Sequence, residues 1–210
     1  MRVAPVGIFM SRAAERCGQS IESTFQLGAD IAAITHGHPT GYLTAGTLAL
    51  IIAIMLRGAT VPEALSCAKR ELLRHDGHLE TMQAITLAEK LSRSEPNSAA
   101  AIQKLGQGWV AEEALAIALY CALCARDFEQ GVVLAVNHDG DSDSTGAIAG
   151  NLLGCCNGIS QIPKRWLEPL ELREVIEELA DNLVAAPDWD IGEYSSSLEG
   201  NFYYHRYPPN

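Results

Sequence analysis

Apolar residues return along this chain at the three-to-four-residue spacing of an α-helix, and no sustained alternating stretch competes with it. That property confines the fold to helices packed on helices. From Ser20 to about Ile34, the residues Ile21, Phe25, Leu27, Ile31, Ala32 and Ile34 predict a partly buried helix. Pro39 opens a long apolar helix, Thr40 to Arg57, with Gly58 as its C-terminal stop. Its uninterrupted apolar run, Leu48 to Leu56, is far shorter than the roughly 20 residues that cross a bilayer, and reads as a buried helix. Thr60 and Pro62 start a helix through His75, and another covers Leu79 to Ser92. A strongly apolar helix from Ala111 to about Ala125 precedes one that begins at Asp127 and reaches Asn137. The stretch Ser144 to Cys156 carries Gly146, Gly150 and Gly154 at four-residue spacing, which predicts a helix closely approached by its neighbours. Leu172 to Ala185 is amphipathic. The expected organisation is one all-α domain over residues 1–186 and an irregular, aromatic tail over 187–210.

Charge narrows the function. A formal net charge of -11 speaks against nucleic-acid binding through a broad basic surface. An acidic chain can still take a phosphorylated ligand, but metal ions or backbone N–H groups must then offset the charge. No membrane span or secretory signal pattern is read. Of the six cysteines Cys17, Cys67, Cys121, Cys124, Cys155 and Cys156, most sit in apolar helical patterns, so a reduced, cytoplasmic protein is expected. Cys121-x-x-Cys124 lies inside an apolar helix with no second pair at metal-ligand spacing, and is read as core packing.

The chemistry concentrates at Asp141-x-Asp143-Ser144, which places two carboxylates and a hydroxyl just before a helical pattern. Hard divalent cations prefer such oxygen ligands. A helix N-cap explains the same residues, since Asp and Ser satisfy the orphan amides of a first turn. Asp139 adds a third acid within five residues and raises the weight of the metal reading. The spacing is not that of an EF-hand loop.

The whole run Asn137-His138-Asp139-Gly140-Asp141-Ser142-Asp143-Ser144-Thr145-Gly146-Ala147-Ile148-Ala149-Gly150 resembles the C-terminal metal motif of the ADP-ribosylglycohydrolase family. Three other stretches resemble the family in the same order: Met1-Arg2-Val3-Ala4-Pro5, Thr35-His36-Gly37-His38-Pro39-Thr40-Gly41-Tyr42-Leu43, and Gly106-Gln107-Gly108-Trp109-Val110-Ala111-Glu112-Glu113-Ala114-Leu115. The resemblance implies an orthogonal all-α bundle with a binuclear Mg²⁺ or Mn²⁺ centre, for which Asp141, Asp143 and Ser144 are ligands. It implies a hydrolase that removes ADP-ribose from modified protein side chains, arginine first, by breaking the N-glycosidic bond; no residue is assigned as the general acid or base. The family's other half-site, a Thr or Ser followed by paired aspartates, has no counterpart, because Asp30 is the only Asp before Asp76. The matching region starts at Met1, so the expectation is an N-terminally truncated domain that lacks roughly its first third. Apolar faces would then be left for a partner chain or oligomer to cover. Such a chain is an active hydrolase in a longer context, or else an inactive remnant, an ADP-ribose binder or a structural helical protein.

Three further groups are candidates for the ligand pocket. His36 and His38 form a His-x-His pair without a neighbouring Cys or carboxylate cluster, so capping is the plainer reading and zinc the weaker one; the resemblance makes His36 a polar contact to ADP-ribose. Gly106-x-Gly108 precedes a helix, and its backbone N–H groups could face a phosphate or ribose; with no strand before it, a dinucleotide fold is excluded. Trp109 by itself reads as packing, and by resemblance lines the nucleotide pocket. Glu112 and Glu113 are read as first-turn charges, and His75, His78 and His205 as surface residues.

Overall fold

The structure is a computed structural model that describes residues 2–16, 20–190 and 198–207; Met1, Cys17 and part of the expected tail lie outside the described residues. Twelve α-helices and two 3-10 turns make up these residues, with no strand among them. The expected all-α fold is therefore observed. The helices are α1 (Ala4–Arg16), α2 (Ile21–Ala33), α3 (Pro39–Leu56), α4 (Val61–Leu72), α5 (Leu79–Ser94), α6 (Ala99–Leu105), α7 (Ala111–Cys124), α8 (Phe128–Val136), α9 (Ser142–Asn157), α10 (Lys164–Leu167), α11 (Arg173–Ala185) and α12 (Leu198–Arg206).

The starts follow from local chemistry. Ser20 caps α2 by accepting from the Ser23 amide. At the head of α4 the Glu63 carboxylate accepts from the Thr60 amide at 2.8 Å and from its hydroxyl at 2.7 Å. Asp127 caps α8 by accepting from Gln130. The bonds from the Ser23, Thr60 and Gln130 amides each satisfy a backbone donor at a helix start that would otherwise lack a partner.

The centre is set by two helices that are apolar all round, and such helices bury every face. In α3 the run Leu48, Ala49, Leu50, Ile51 and Ile52 is essentially inaccessible; in α7 every residue from Ala114 to Cys121 is buried. Helices α1, α2 and α4 pack around α3, while α5, α8 and α9 close around α7. Although α3 has the length and hydropathy of a membrane span, two thirds of it is buried inside this fold.

Close backbone approach occurs where small residues meet, but not where it is expected. A Cβ on Gly28 would stand 2.7 Å from Ala49 Cβ, and one on Gly46 2.7 Å from the Phe25 carbonyl, so α2 and α3 cross through a pair of glycines. In α9 only Gly146 is closely met, by Val136; Gly150 and Gly154 face open space, which corrects the reading of all three as contact residues.

Two other expectations change. His75 is not a surface residue: its ring stacks on Phe25 at 4.4 Å and pairs with Glu71, itself buried. The tail is not wholly irregular, because α12 forms in it and Tyr203 stacks on Trp189 at 3.5 Å. Helix α11 buries no residue and leaves Val175, Ile176 and Leu179 exposed, with Leu172 exposed just ahead of it.

Tyr120 shows how the core positions a loop. Its ring is fully buried, and its hydroxyl donates to the Glu95 carbonyl at 2.6 Å while accepting from the Ser98 amide at 2.8 Å. Burial raises the phenol pKa, so the group stays a donor. Tyr120→Phe leaves that amide and carbonyl without partners, and is expected to cost about 1–3 kcal/mol in chemical denaturation. A loss below about 0.3 kcal/mol would show that water replaces the hydroxyl there.

Candidate functional site

Several helices begin at one place. A cleft of about 660 Å³ is bordered by the starts of α3, α5, α7 and α9, with Arg2 and Val3 just ahead of α1 and the end of α2 on its other side. That volume is in the range of small-molecule sites, roughly 300–1,000 Å³. Each helix start contributes about half a positive charge from unpaired amides. The cleft is therefore a place where an acidic chain can still attract an anion.

The α9 wall is built around the turn from Asn137 to Asp141. Gly140 donates its amide to His138 Nδ1 at 3.1 Å, so that nitrogen is unprotonated. His138 Nε2 then donates to the Thr145 hydroxyl at 2.9 Å, and that hydroxyl donates to the Ala135 carbonyl at 2.7 Å. The imidazole is thus a brace between α8 and α9 with both nitrogens used. Asp141 caps α9, accepting from the Ser144 amide at 3.3 Å. The Ser144 side chain, then Asp143 and the Ser144 amide, hold the Asp141 carboxyl below the usual carboxylate range. It is ionised at neutral pH. Both explanations weighed for Asp141 thus apply to the same residue: it is a helix cap, and it also lines the cleft.

The Gly106–Trp109 loop is locked to this turn by backbone contacts. Gln107 accepts from the Asp141 amide at 2.8 Å. A Cβ on Gly140 would lie 1.9 Å from the Gln107 carbonyl oxygen, and one on Gly108 2.8 Å from Thr145 Cγ2. Here the expectation for the loop amides needs correction. The N–H groups of Gln107 and Gly108 both donate to Glu113 Oε2 at 3.0 Å, so an internal carboxylate occupies the position foreseen for a phosphate. Glu113 is more than a first-turn charge: it folds back and anchors the loop. Glu112, its neighbour, lines the cleft.

Opposite stand the groups ahead of α3. His38 caps α3, its Nδ1 accepting from the Thr40 amide at 3.3 Å. His36 Nδ1 lies 2.8 Å from the Thr35 hydroxyl, and Arg2 donates to the same hydroxyl at 2.6 Å. Thr40 donates its hydroxyl to Glu80 Oε2, which brings another carboxylate to the rim.

Of the seven candidate residues, the cleft collects five: His36, Gly108, Trp109, Asp141 and Ser144. Asp143 is exposed beside it, and Gly106 borders a separate cavity of about 290 Å³ with His138, Asp139 and Gly140. Trp109 is 67 % exposed at the lip, its indole N–H donating to Gln107 Oε1. Among the described residues no three His, Cys, Asp or Glu side chains gather into a metal cage. Asp141, Asp143 and Ser144 are hard oxygen donors from one helix start, a chemistry that fits one face of a divalent cation, which would need further ligands beyond these three. Sequence reasoning assigned no site role to His138, Thr145, Glu113, Arg2 or Glu80; the first four lie inside stretches that resemble the family, and only Glu80 carries no such signal.

The family model described as ADP-ribosylglycohydrolase matches residues 1–191. An uncharacterized protein of Archaeoglobus fulgidus is 33% identical over 187 residues, covering 87% of this chain and 56% of that protein. The ADP-ribosylarginine hydrolase Tri1 of Pseudomonas putida is 26% identical, over 87% of this chain and 44% of its own length. The ADP-ribosyl-[dinitrogen reductase] glycohydrolase of Rhodospirillum rubrum is 27% identical, over 85% and 57%. The chain spans about half the length of the curated relatives it matches.

Proposed function

We propose, from the premise that this chain belongs to the ADP-ribosylglycohydrolase family, that its cleft binds the ADP-ribose of modified proteins and forms one wall of a site that hydrolyses the N-glycosidic bond to arginine. One observation carries the reading: a single cleft gathers His36, Gly108, Trp109, Asp141 and Ser144 from three separate stretches of sequence. Helix starts around the cleft suit the diphosphate. Trp109 offers an apolar face at the lip, and His36 a polar edge on the opposite wall. Asp141, Asp143 and Ser144 would hold Mg²⁺ or Mn²⁺, which when bound supplies charge to orient the ribose hydroxyls and a water. Asp141 is ionised at neutral pH, the state in which a carboxylate serves as a metal ligand. A cytoplasmic site of action belongs to the same reading.

A second reading, binding of ADP-ribose without hydrolysis, is favoured by the one-sided donor set. Calorimetry with ADP-ribose in Mg²⁺, paired with a release assay on ADP-ribosylated arginine, separates the two. Sub-millimolar binding is expected, weakened about tenfold in Asp141→Asn, the scale on which loss of a metal-site group is felt. Binding without release selects the second reading, and no binding by the folded chain rejects both.

A further inference from the structure

Arg2 lines the cleft without a carboxylate partner among the described residues, in a chain whose formal net charge is -11. Its one hydrogen bond among the described residues is to the Thr35 hydroxyl at 2.6 Å, and a guanidinium can only donate. The hydroxyl must place its own proton elsewhere. Two acceptors are near: the Ala32 carbonyl at 3.4 Å and His36 Nδ1 at 2.8 Å. The first exceeds the usual O–H···O range of about 2.5–3.0 Å, while the second, to a ring nitrogen, is much the shorter. The cation polarises the hydroxyl toward donation and discourages a second donor from approaching the same oxygen. His36 Nε2, to which no described group hydrogen-bonds, then carries the ring proton.

We infer that Arg2, acting through Thr35, is a positioning residue that fixes neutral His36 with its proton on Nε2, as a hydrogen-bond donor for an acceptor oxygen of the cleft ligand. The ligand is the ADP-ribose of the proposed function, and to that extent the inference rests on that reading. The orientation of the ring does not depend on it.

Nitrogen-15 correlation spectra of the full chain, at mildly alkaline pH and without ligand, read the tautomer directly. The expected pattern is a single species with His36 Nδ1 unprotonated and Nε2 protonated. Thr35→Val should move both nitrogens toward averaged values, Arg2→Met should do so in part, and Thr35→Ser should restore the parent pattern. ADP-ribose affinity should fall about tenfold in Thr35→Val, the loss of one hydrogen bond, and recover in Thr35→Ser. A protonated Nδ1 in the parent chain, or His36 nitrogens unmoved by Thr35→Val, overturns the inference. The expected tautomer pattern in a chain that binds no ADP-ribose supports the positioning role and counts against the proposed ligand.

Discussion

Gly140→Ala is expected to separate the two loops that build the acidic wall, and to lower the melting temperature by roughly 10 °C. The glycine is not needed for an unusual backbone angle. It is needed because a Cβ there would sit 1.9 Å from the Gln107 carbonyl oxygen, a distance no real contact reaches. Neither atom is the end of a flexible side chain, so the main chain must move by about an ångström. The Asp141-to-Gln107 hydrogen bond at 2.8 Å and the Gly140-to-His138 bond at 3.1 Å both depend on the present spacing. Overpacking costs about 1–3 kcal/mol and a lost bond about 1 more, which at this chain length is several degrees. Gly150→Ala is the control: it lies within α9 with nothing near its missing Cβ, and should gain about 0.5–1 kcal/mol from helix propensity. If Gly140→Ala melts within a degree of the parent, the loops are not locked as described.

The helices were legible because their signals are local. Ser20, Thr60 and Asp127 cap where their side chains alone predict, and the apolar runs of α3 and α7 leave no face to expose. Helix α6 was invisible for a physical reason. It is seven residues long, between a Pro96-Asn97-Ser98 turn and Gly106, and is held by burial of Ala101, Ile102 and Leu105 rather than by a periodic stripe. The glycines of α9 show the converse. Their spacing is compatible with close packing, but which helix faces them is decided elsewhere in the chain, and Gly28 with Gly46 carries the tight crossing instead. In the cleft, Asp141 and Ser144 could be read from type and spacing. Glu113 could not, because its role comes from a loop that turns back over its own helix, and Arg2 meets Thr35 only across 33 residues of chain. Ile34 fails similarly: it continues the period of α2 but stands past its end, 80 % exposed.

The Glu113 anchor leads to the other large effect, at Gly106. Its φ of 114° and ψ of -158° lie in a region open almost only to glycine, so Gly106→Ala carries about 1–3 kcal/mol of strain whatever surrounds it. The new Cβ would also stand 2.2 Å from Glu113 Cδ. A flexible carboxylate can swing away, but this one accepts two backbone N–H bonds and would release both. Glu113→Ala alone should cost about 1–2 kcal/mol, moderated because the Gln107 amide is exposed and can bind water. The two changes share one cause of damage, so their effects should not add. The double variant is expected to be about 1 kcal/mol more stable than the sum predicts, the remainder being backbone strain. ADP-ribose affinity should follow the same pattern if the loop carries Trp109 to the cleft lip. Strict additivity in the melts would show that Glu113 and Gly106 act independently, and that the loop is held by its contact with Asp141 alone.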